Sequence, residues 1–507
     1  MTHLESELVN ARAVSTPLLA IRTADASHLL TRVLPLLSKT PEDETCGMVL
    51  WDCVRGVTLL TESQESRAVR EALAQAVGNP MALKNPVAML DAANQAPPNA
   101  VLFMLNAHLF LQDPAVRQAL WNLRDGFKAQ RKSVVLLGRS MTLPPELDGD
   151  VIVYDDPLPD RAQASAIFET IFESVDTPKP TAETMEKAVD AVAGLAPFAI
   201  EQNFSLALTP KTVSIESMQD RRCAVIEQTP GLSVLRGPET FTTVGGCQNA
   251  KRFFSRVIHG KQAPATIVFI DEIEKALGGT KGDTSGTSQD QLMQVLMFMQ
   301  DKRSSGVLFI GHPGCSKSAL AKAVGNEAGI LTIQFDMGAM KGSLVGQSEA
   351  RIREALRVID AVSAGRALFI ATCNQISSLP PELRRRFKFG TFFFGLPTAE
   401  EREAIWAIYL KKFNIPAQVR PKDTGWTGAE IETCCELANR METTLVEAAT
   451  YLVPITVSSK EKIRVLCEEA DMKFISASRE GVYSYSENEG ALEQVPATGR
   501  RISTKTA

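Results

Sequence analysis

Residues 307–318 read Val307-Leu-Phe-Ile-Gly-His-Pro-Gly-Cys-Ser-Lys-Ser318. The apolar start predicts a buried strand, and the pattern that begins at Ser318 is that of a helix. A glycine-rich turn between a strand and a helix is typical of a phosphate-binding loop, because its backbone N–H groups point inward and the helix N-terminus adds positive potential. An ordinary Gly-Pro turn is the alternative, but the flanking strand and helix favour a nucleotide site.

The residues of this loop have separate expected roles. Lys317 reaches the β- and γ-phosphates of ATP, and the Ser318 hydroxyl binds Mg²⁺. Ser316 replaces the glycine that usually precedes the lysine, so a Cβ stands where the backbone approaches phosphate. His312 and Cys315 occupy variable loop positions. The candidate nucleotide-binding residues of this region, besides Lys317 and Ser318, are Gly311, Pro313, Gly314, Cys315, Ser316 and Ala319.

A second motif, Thr266-Ile-Val-Phe-Ile-Asp-Glu272, comes before the loop in the chain, whereas ordinary P-loop ATPases carry it after the loop. Asp271 is the expected Mg²⁺ ligand, and Glu272 is expected to polarise the attacking water. A solvated turn is the alternative for two acids at a strand end. That alternative is less favoured because the strand Ala367–Ile370 leads to Asn374, whose side-chain amide is suited to hold the same attacking water. We therefore expect three strand ends to converge on one phosphate.

Composition places the chain among soluble globular proteins with two or three domains. It has 507 residues, of which 44% are hydrophobic and 22% charged. No apolar stretch spans a bilayer and the N-terminus lacks a signal-peptide pattern, so we expect a cytoplasmic protein without membrane contact. Nine scattered cysteines without a CxxC pair indicate reduced thiols. A net charge of −5 gives no general attraction to nucleic acid.

Two α/β regions are predicted from apolar runs that alternate with helical patterns. The fold class is thus α/β, with a parallel sheet in each region. The predicted divisions are an α/β domain at 1–180, a helical hairpin and linker at 181–243, a core at 244–398, a helical lid at 399–475 and a disordered tail at 476–507. The predicted strands are Leu18–Ile21, Gly47–Trp51, Val101–Leu105, Val134–Leu137 and Val151–Tyr154, then Ile267–Ile270, Val307–Ile310, Leu331–Phe335, Ala367–Ile370 and Thr391–Phe394.

An internal repeat relates the two regions. Leu143-Pro-Pro-Glu-Leu147 recurs as Leu379-Pro-Pro-Glu-Leu383, each time between two predicted strands and shortly before a Leu-Pro pair. We interpret the first region as a degenerate copy of the second. The copy has no phosphate loop, Asn106-Ala107 follows the strand where Asp-Glu would be, and Gly138 takes the place of Asn374. Its expected role is structural or recognitional.

Several motifs together resemble the AAA+ ATPases, and most closely the cyanobacterial and plastid AAA proteins encoded by a hypothetical chloroplast reading frame. Those proteins also carry a degenerate N-terminal AAA-like domain, and the resemblance extends to about Leu452. Besides the phosphate loop, the motifs are Thr243-Val-Gly-Gly246, Ile270-Asp-Glu-Ile-Glu-Lys-Ala-Leu277, Gly342-Ser-Leu-Val-Gly-Gln-Ser-Glu-Ala-Arg-Ile-Arg353, Ala371-Thr-Cys-Asn374 and Thr424-Gly-Trp-Thr-Gly-Ala-Glu-Ile431.

The resemblance implies a P-loop core with a helical lid, and a ring of identical subunits, commonly a hexamer. In such a ring an arginine of one subunit completes the site of the next. Arg384, Arg385 and Arg386 stand at that position with altered spacing. The resemblance also places Gly246 near the nucleotide, and Gly428 and Ala429 at the start of the lid helix against the adenine.

The chain departs from the family in its order. The block from about Ala263 to Arg303, which holds the Asp-Glu strand, stands ahead of the phosphate loop, so the core is circularly permuted. Parallel strands tolerate this, because each helix returns the chain to the same sheet edge. Leu344 replaces the aromatic pore-loop residue of many unfoldases, which puts polypeptide threading in doubt. We expect the segment Gly278–Ser288 to be either a mobile loop near the pore or a simple flexible linker.

The sequence therefore predicts a Mg²⁺-dependent ATPase that forms a ring and remodels a protein or another macromolecule. A nucleotide-binding scaffold with little hydrolysis is one alternative, and it applies if Asp271 and Glu272 do not reach Lys317. A DNA-handling initiator or loader is the other. No DNA-binding module or basic stripe supports it.

Overall fold

The computed structural model describes residues 2–38, 45–175, 179–209, 212–277, 287–340, 347–376 and 381–485. The chain divides into two units, Met1–Arg222 and Cys223–Ala507. Leu344, most of the Gly278–Ser288 segment, Leu379 and Pro380 of the second repeat, and residues 486–507 of the predicted tail lie outside the described residues. Among the described helices, none is long and apolar enough to cross a membrane.

The first unit is built around a six-stranded sheet with the order β3-β2-β4-β5-β1-β6. Neighbouring strands are parallel except for the β2–β3 hairpin. The strands are β1 (Leu18–Arg22), β2 (Met48–Asp52), β3 (Gly56–Leu59), β4 (Val101–Leu105), β5 (Ser133–Gly138) and β6 (Ile152–Asp155). The helices are α1 (His3–Ala13), α2 (Ala26–Leu37), α3 (Gln64–Val77), α4 (Pro86–Ala92), α5 (Pro114–Ala129), α6 (Arg161–Ser174), α7 (Ala182–Val192) and α8 (Pro197–Ala207).

Helices cover both faces of this sheet, as the continuous apolar strands predict. Alternate residues of β1 point to opposite faces. Leu19 and Ile21 pack with α1 and α2, whereas Leu18 and Ala20 pack in the core that contains α3, α4 and α5. The result is a three-layer α/β/α arrangement.

The predicted helical hairpin forms α7 and α8 and lies within the first unit. Phe204 of α8 stacks on Phe168 of α6 with ring centroids 3.8 Å apart. Phe172 meets Phe204 edge to face at 5.3 Å. Aromatic contacts of this kind fix the hairpin against α6, so the first unit continues past residue 180 to Arg222.

The second unit is built around a seven-stranded sheet with the order β13-β12-β9-β11-β8-β10-β7, in which only β7 is antiparallel. The strands are β7 (Leu232–Val234), β8 (Thr266–Ile270), β9 (Ser305–Gly311), β10 (Leu331–Phe335), β11 (Ala367–Cys373), β12 (Thr391–Phe394) and β13 (Ile475–Ser476). The helices around the sheet are α9 (Ile215–Glu227), whose residues up to Arg222 belong to the first unit, α10 (Gln248–Ile258), α11 (Glu274–Leu277), α12 (Thr287–Asp301), α13 (Lys317–Ala328), α14 (Gln347–Ser363) and α15 (Pro381–Arg386).

Two cores flank this sheet. Ile267 and Phe269 of β8 pack with α10 and α13, and Val268 and Ile270 pack with α12 and α14 on the other face. The remaining helices are α16 (Ala399–Lys412), α17 (Gly428–Met441), α18 (Leu445–Ala449), α19 (Ile455–Ser458) and α20 (Lys460–Ala470). The first three form a separate small core around Trp406 and Trp426. This core covers only the first part of the lid predicted at 399–475, because Leu466, Cys467 and Ala470 of α20 pack in the sheet core with α12 and α14.

The same spatial order of strands occurs in both units, but the chain visits the strands differently. Five neighbouring strands of the first unit have the order β6-β1-β5-β4-β2, and five of the second, which begin one strand in from the edge strand β13, have the order β12-β9-β11-β8-β10. In the first unit the fourth strand of this series, β4, follows β1 along the chain. In the second unit its counterpart β8 precedes β9. The predicted α/β fold with a largely parallel sheet in each unit is thereby confirmed.

Two predictions about irregular segments differ from the structure. The predicted linker at 209–243 contains α9 and β7, and the predicted tail begins within β13, which pairs with β12 through Phe393 and Ser476. Strands of two or three residues are too short to show alternation, and α9 is rich in charged residues. Their position comes from neighbouring elements, which a local pattern does not contain.

Candidate functional site

The carboxyl ends of β8, β9 and β11 meet at one edge of the second sheet. These strands are parallel neighbours in the order β9-β11-β8. Each is followed by one of the predicted motifs, and the carboxyl edge of a parallel sheet is where ligands bind in α/β folds. The three motifs therefore lie side by side despite their reversed order along the chain.

The phosphate loop connects β9 to α13 through a backbone that needs small residues. A Cβ on Gly311 would lie 2.2 Å from the Phe394 carbonyl oxygen. Gly314 has a φ of 79° and Ser316 a φ of 60°, both in the left-handed region. Since a residue with a Cβ is strained there, Ser316 holds a conformation that suits glycine better.

Lys317 folds back onto the loop. Its ammonium donates to the carbonyl oxygens of Gly311 at 2.9 Å and His312 at 2.7 Å, and only 6% of the residue is exposed. Burial lowers the pKa of Lys317. The ammonium thus stands inside the loop, where a phosphate would replace carbonyl dipoles by a full negative charge.

Ser318 and Asp271 are joined by a hydrogen bond. The Ser318 hydroxyl donates to Asp271 Oδ1 at 3.0 Å, and the Thr372 hydroxyl donates to the same oxygen at 2.5 Å. Thr372 also accepts a 2.9 Å hydrogen bond from the Glu272 backbone N–H. Thr372 of β11 therefore fixes both acids of the β8 motif in place.

Asn374 lies beside two carboxylates. Its amide nitrogen is 3.4 Å from Glu272 Oε1 and donates to Glu274 Oε1 at 2.9 Å. Glu272 has a φ of 51° and its side chain also pairs with Lys275. The other Glu274 oxygen is buried without a hydrogen-bond partner. This arrangement leaves a buried acceptor next to the Glu272 and Asn374 pair.

The lid contacts the phosphate loop. The Ala429 N–H donates to the Gly314 carbonyl at 3.3 Å. A Cβ on Gly428 would lie 3.3 Å from Ser316 Oγ, and one on Gly314 would lie 2.9 Å from Thr427 Oγ1. Glycine at both positions allows the start of α17 to approach the loop closely.

An open cleft of about 300 Å³ lies between the lid and these strand ends. The sequence-predicted residues that line it are Asp271, Glu272, Pro313, Gly314, Ser316, Lys317, Ser318, Ala319, Asn374, Gly428 and Ala429. It is also lined by Thr372, Tyr409 and Glu432, which the sequence interpretation missed. Thr372 was detectable as a hydroxyl in an otherwise apolar strand. Tyr409 and Glu432 carry no comparable signal, since aromatic and acidic residues are common on lid helices.

Three predicted nucleotide-binding residues lie just outside the lining of this cleft. Gly246, with a φ of 71°, packs against Glu401 of α16. Gly311 contributes its carbonyl to Lys317. Cys315 is buried, and burial raises the pKa of its thiol to about 12. Gly311 and Cys315 thus belong to the loop without lining the cleft, and Gly246 contacts α16 instead.

The three predicted catalytic arginines do not line this cleft. Arg384 lies over the Phe474 ring at 6.0 Å. Arg385 and Arg386 line a different pocket of about 290 Å³, together with Ser304 and Lys388. That pocket carries three cationic side chains and lies beside α15.

His312 connects the loop to the C-terminal helix. Its ring nitrogen Nε2 is 3.3 Å from the Cys467 sulfur of α20. Burial, with a smaller contribution from the Lys317 charge, lowers the pKa of His312 to about 4. His312, at a variable position of the loop, is thus a buried and neutral contact between the loop and α20.

Among the described residues of the first unit, other groups occupy the equivalent edge of the sheet. Asn106, with a φ of 53°, follows β4, and the Asp25 carboxylate caps α2 by accepting from the His28 N–H at 3.0 Å. A Cβ on Gly138 would lie 2.5 Å from His108. A carboxylate at a helix N-terminus occupies the positive end that would otherwise attract phosphate.

The residues of the second unit fit Mg²⁺ and a nucleotide. Mg²⁺ prefers oxygen ligands and is commonly held by one or two protein groups together with phosphates and water. The Ser318 and Asp271 oxygens match that requirement. No cluster of three or more His, Cys, Asp or Glu side chains able to hold a metal occurs among the described residues.

Two family models match the chain. The model for the N-terminal domain of SpoVK-like AAA ATPases matches residues 4–155. The model for the ATPase family associated with various cellular activities (AAA) matches residues 307–364. The second match begins within β9 and ends after α14, so it contains the phosphate loop but not β8.

Curated relatives agree with these matches. The AAA domain-containing protein ycf46 of Guillardia theta is 24% identical over 419 residues, 74% of this chain and 75% of the relative. The ycf46 protein of Gracilaria tenuistipitata var. liui is 26% identical over 407 residues, 69% of this chain and 76% of the relative. A proteasome-activating nucleotidase of Sulfurisphaera tokodaii is 27% identical over 179 residues, 26% of this chain and 46% of the relative. Each unit therefore contains a segment that matches an AAA ATPase model, in agreement with the predicted P-loop fold and AAA-like first unit, and the chain resembles the ycf46 proteins over most of its length.

Proposed function

We propose that the second unit binds ATP with Mg²⁺ in the cleft between β8, β9, β11 and the lid, and hydrolyses it. The observation that carries this proposal is the hydrogen bond from Ser318 to Asp271, reinforced by Thr372. It joins a phosphate loop to an acidic pair. Phosphoryl transfer requires those two elements side by side, because its catalysis consists mainly of positioning and charge stabilisation.

Each residue of the cleft then has a role. The backbone N–H groups of the loop and Lys317 hold the phosphates, and Ser318 and Asp271 hold Mg²⁺. The metal supplies positive charge that offsets the charge developing on the phosphates. Glu272 accepts a proton from the attacking water, which Asn374 orients. Gly428 and Ala429 bring the lid against the adenine.

We further propose that the core arose by relocating the block of about Ala263 to Arg303 ahead of β9. The strand order in space is the same in both units, while β8 alone of the five shared strands is visited out of turn. The strands β8, β9 and β11 are parallel. Relocating the block therefore changes the path of the connections between strands but leaves each motif at the carboxyl edge of the sheet.

The proposed assembly is a ring of identical subunits, such as a hexamer, that remodels a protein or another macromolecular target. Arg384, Arg385 and Arg386 lie away from the cleft of their own chain, which is the placement required of arginines that act on a neighbouring subunit. The first unit, without a lysine loop or acidic pair at its sheet edge, is proposed to support assembly or to recruit the target.

The scaffold alternative rests on the premise that Asp271 and Glu272 lie apart from Lys317. Ser318 is the next residue after Lys317 and donates to Asp271 at 3.0 Å, which argues against the premise. The net charge of −5 gives the DNA-handling alternative no support.

The direct test is release of phosphate from ATP by the purified full chain with and without Mg²⁺. Lys317→Ala is expected to abolish ATP binding, whereas Lys261→Ala, at an exposed lysine outside the cleft, is expected to leave it unchanged. Equal ATP affinity in the wild type and Lys317→Ala would refute the proposed site.

A further inference from the structure

The lid side of the cleft carries a carboxylate that the proposed function does not use. Glu432 of α17 and Tyr409 of α16 line the cleft with the loop residues. The Glu432 carboxylate accepts a 2.7 Å hydrogen bond from Lys412 and also bonds the Tyr409 hydroxyl. It is therefore held from two sides and oriented before any ligand enters.

The position of Glu432 along α17 indicates which part of a nucleotide it meets. The helix begins at Gly428, and the Ala429 N–H touches the Gly314 carbonyl of the phosphate loop. Glu432 lies four residues after Gly428, about one helical turn or 6 Å along the axis on the same face. A group there faces the part of a nucleotide that is bonded to the phosphates, which is the ribose.

The chemistry of a carboxylate restricts the choice further. An ionised carboxylate only accepts hydrogen bonds, and phosphate oxygens also only accept. Glu432 must therefore face donors, which in ATP are the ribose hydroxyls and the amino group of the base. The amino group is at the far end of the base, whereas the hydroxyls are the first donors beyond the phosphates. Acidic side chains bind ribose hydroxyls in this way in other nucleotide folds.

Resting on the proposed function, we propose that Glu432 binds the 2′-hydroxyl of the ribose and makes this site selective for ribonucleotides over 2′-deoxyribonucleotides. Lys412 and Tyr409 position the carboxylate without contacting the reacting phosphates. Part of the Glu432 side chain, 35%, remains exposed, so the preference is expected to be moderate, about tenfold, and not the much larger discrimination of a closed pocket.

The test is calorimetric titration of the full-length Glu272→Gln protein with Mg-ATP, Mg-2′-dATP and Mg-ITP, the last lacking the amino group at the base. We expect ATP to bind about tenfold more tightly than 2′-dATP. Adding Glu432→Gln should weaken ATP to the 2′-dATP level while leaving 2′-dATP unchanged. Glu436→Gln, which breaks an ion pair with Arg440 on the same helix, is the matched control and should keep the preference.

Lys412→Met breaks the ion pair between Lys412 and Glu432 but keeps the Glu432 carboxylate. This variant should therefore retain the preference for ATP over 2′-dATP. Equal loss in Lys412→Met and Glu432→Gln would overturn the inference, because the ion pair and not the acceptor would then set the preference. The inference would also be overturned if Glu432→Gln weakened the binding of ATP and 2′-dATP equally, because the 2′-hydroxyl would then not be the partner. It would likewise be overturned if Glu432→Gln did not weaken the binding of ITP, because the partner would then be the amino group of the base. If the protein binds none of these nucleotides, the proposed function itself fails.

Discussion

Ser318 and Asp271 are 47 residues apart in the chain, yet the Ser318 hydroxyl donates a 3.0 Å hydrogen bond to the Asp271 carboxylate. Asp271 belongs to the end of β8 and Ser318 to the start of α13, and β11 separates β8 from β9 in the sheet. Thr372 of β11 fills that gap by donating to the same carboxylate oxygen. The middle strand thus connects the two motifs.

Thr372→Val should weaken Mg²⁺-dependent hydrolysis, because it removes the hydrogen bonds that fix Asp271 and the Glu272 backbone. Mutation of a residue that orients a metal ligand typically lowers metal affinity or activity about tenfold to a hundredfold. The Mg²⁺ concentration for half-maximal phosphate release should therefore rise at least about tenfold. Thr450→Val, at an exposed threonine of the lid, is the control. An unchanged Mg²⁺ dependence in Thr372→Val would mean that Asp271 needs no support from β11.

Ser316→Gly should tighten ATP binding. Ser316 has a φ of 60° and lines the cleft, so glycine would relieve strain of about 1 kcal/mol and remove a side chain that faces phosphate. Arg303→Gly is the comparison, since Arg303 has a φ of 51° and is exposed. Both variants should gain similarly small stability, but only Ser316→Gly should lower the Kd for ATP, by up to about tenfold.

Protonation of His312 should destabilise the second unit in acid. Its folded pKa of about 4 lies below the unfolded value of about 6.5. Between these values the unfolded chain binds a proton that the folded chain does not, so stability is complete above pH 6.5 and falls as the pH drops towards 4. The loss at this site is at most about 3 kcal/mol.

Urea unfolding of the wild type and His312→Gln at pH 7 and pH 5 measures this loss. The wild type should lose more stability than the variant between the two pH values. His28 and His108, whose pKa values are also lowered by burial, contribute to both proteins and cancel in the comparison. A variant that loses as much stability as the wild type would contradict the assignment to His312.

Arg384→Ala combined with Arg386→Ala should reduce hydrolysis at least about a hundredfold with little change in ATP affinity, because an arginine acting from a neighbouring subunit stabilises only the transition state. Mixing this protein with the Lys317→Ala protein should restore part of the activity. In mixed rings an intact loop meets intact arginines. Full activity in a monomer, established by light scattering, would exclude action between subunits.

The sequence predicted most of both sheets because their strands are strongly apolar. The bounds of Val101–Leu105, Leu331–Phe335 and Thr391–Phe394 agree with the structure. The hairpin strand β3 and the edge strands β7 and β13 were missed. Such short strands acquire their place from a neighbour's hydrogen bonds and not from their own pattern.

The site could also be predicted only in part, because some of its residues are placed by neighbouring elements. Motifs with a fixed chemical order, such as the loop ending in Lys317 and Ser318, could be placed from the sequence. Contributions from Thr372, Glu274 and Glu432 could not, because each depends on which strand or helix lies beside it in space. The assignment of residues to nucleotide, metal and water stays a prediction.

The most direct test of the account is a comparison of ATP binding and turnover in the Glu272→Gln protein. The acidic pair that follows β8 and the loop after β9 are proposed to form one hydrolytic site. The amide keeps the size of the side chain and loses the proton acceptor, so Mg-ATP should bind with near wild-type affinity while phosphate release falls at least about a hundredfold. Normal turnover in Glu272→Gln would contradict the account, since the acidic pair would then have no part in the reaction.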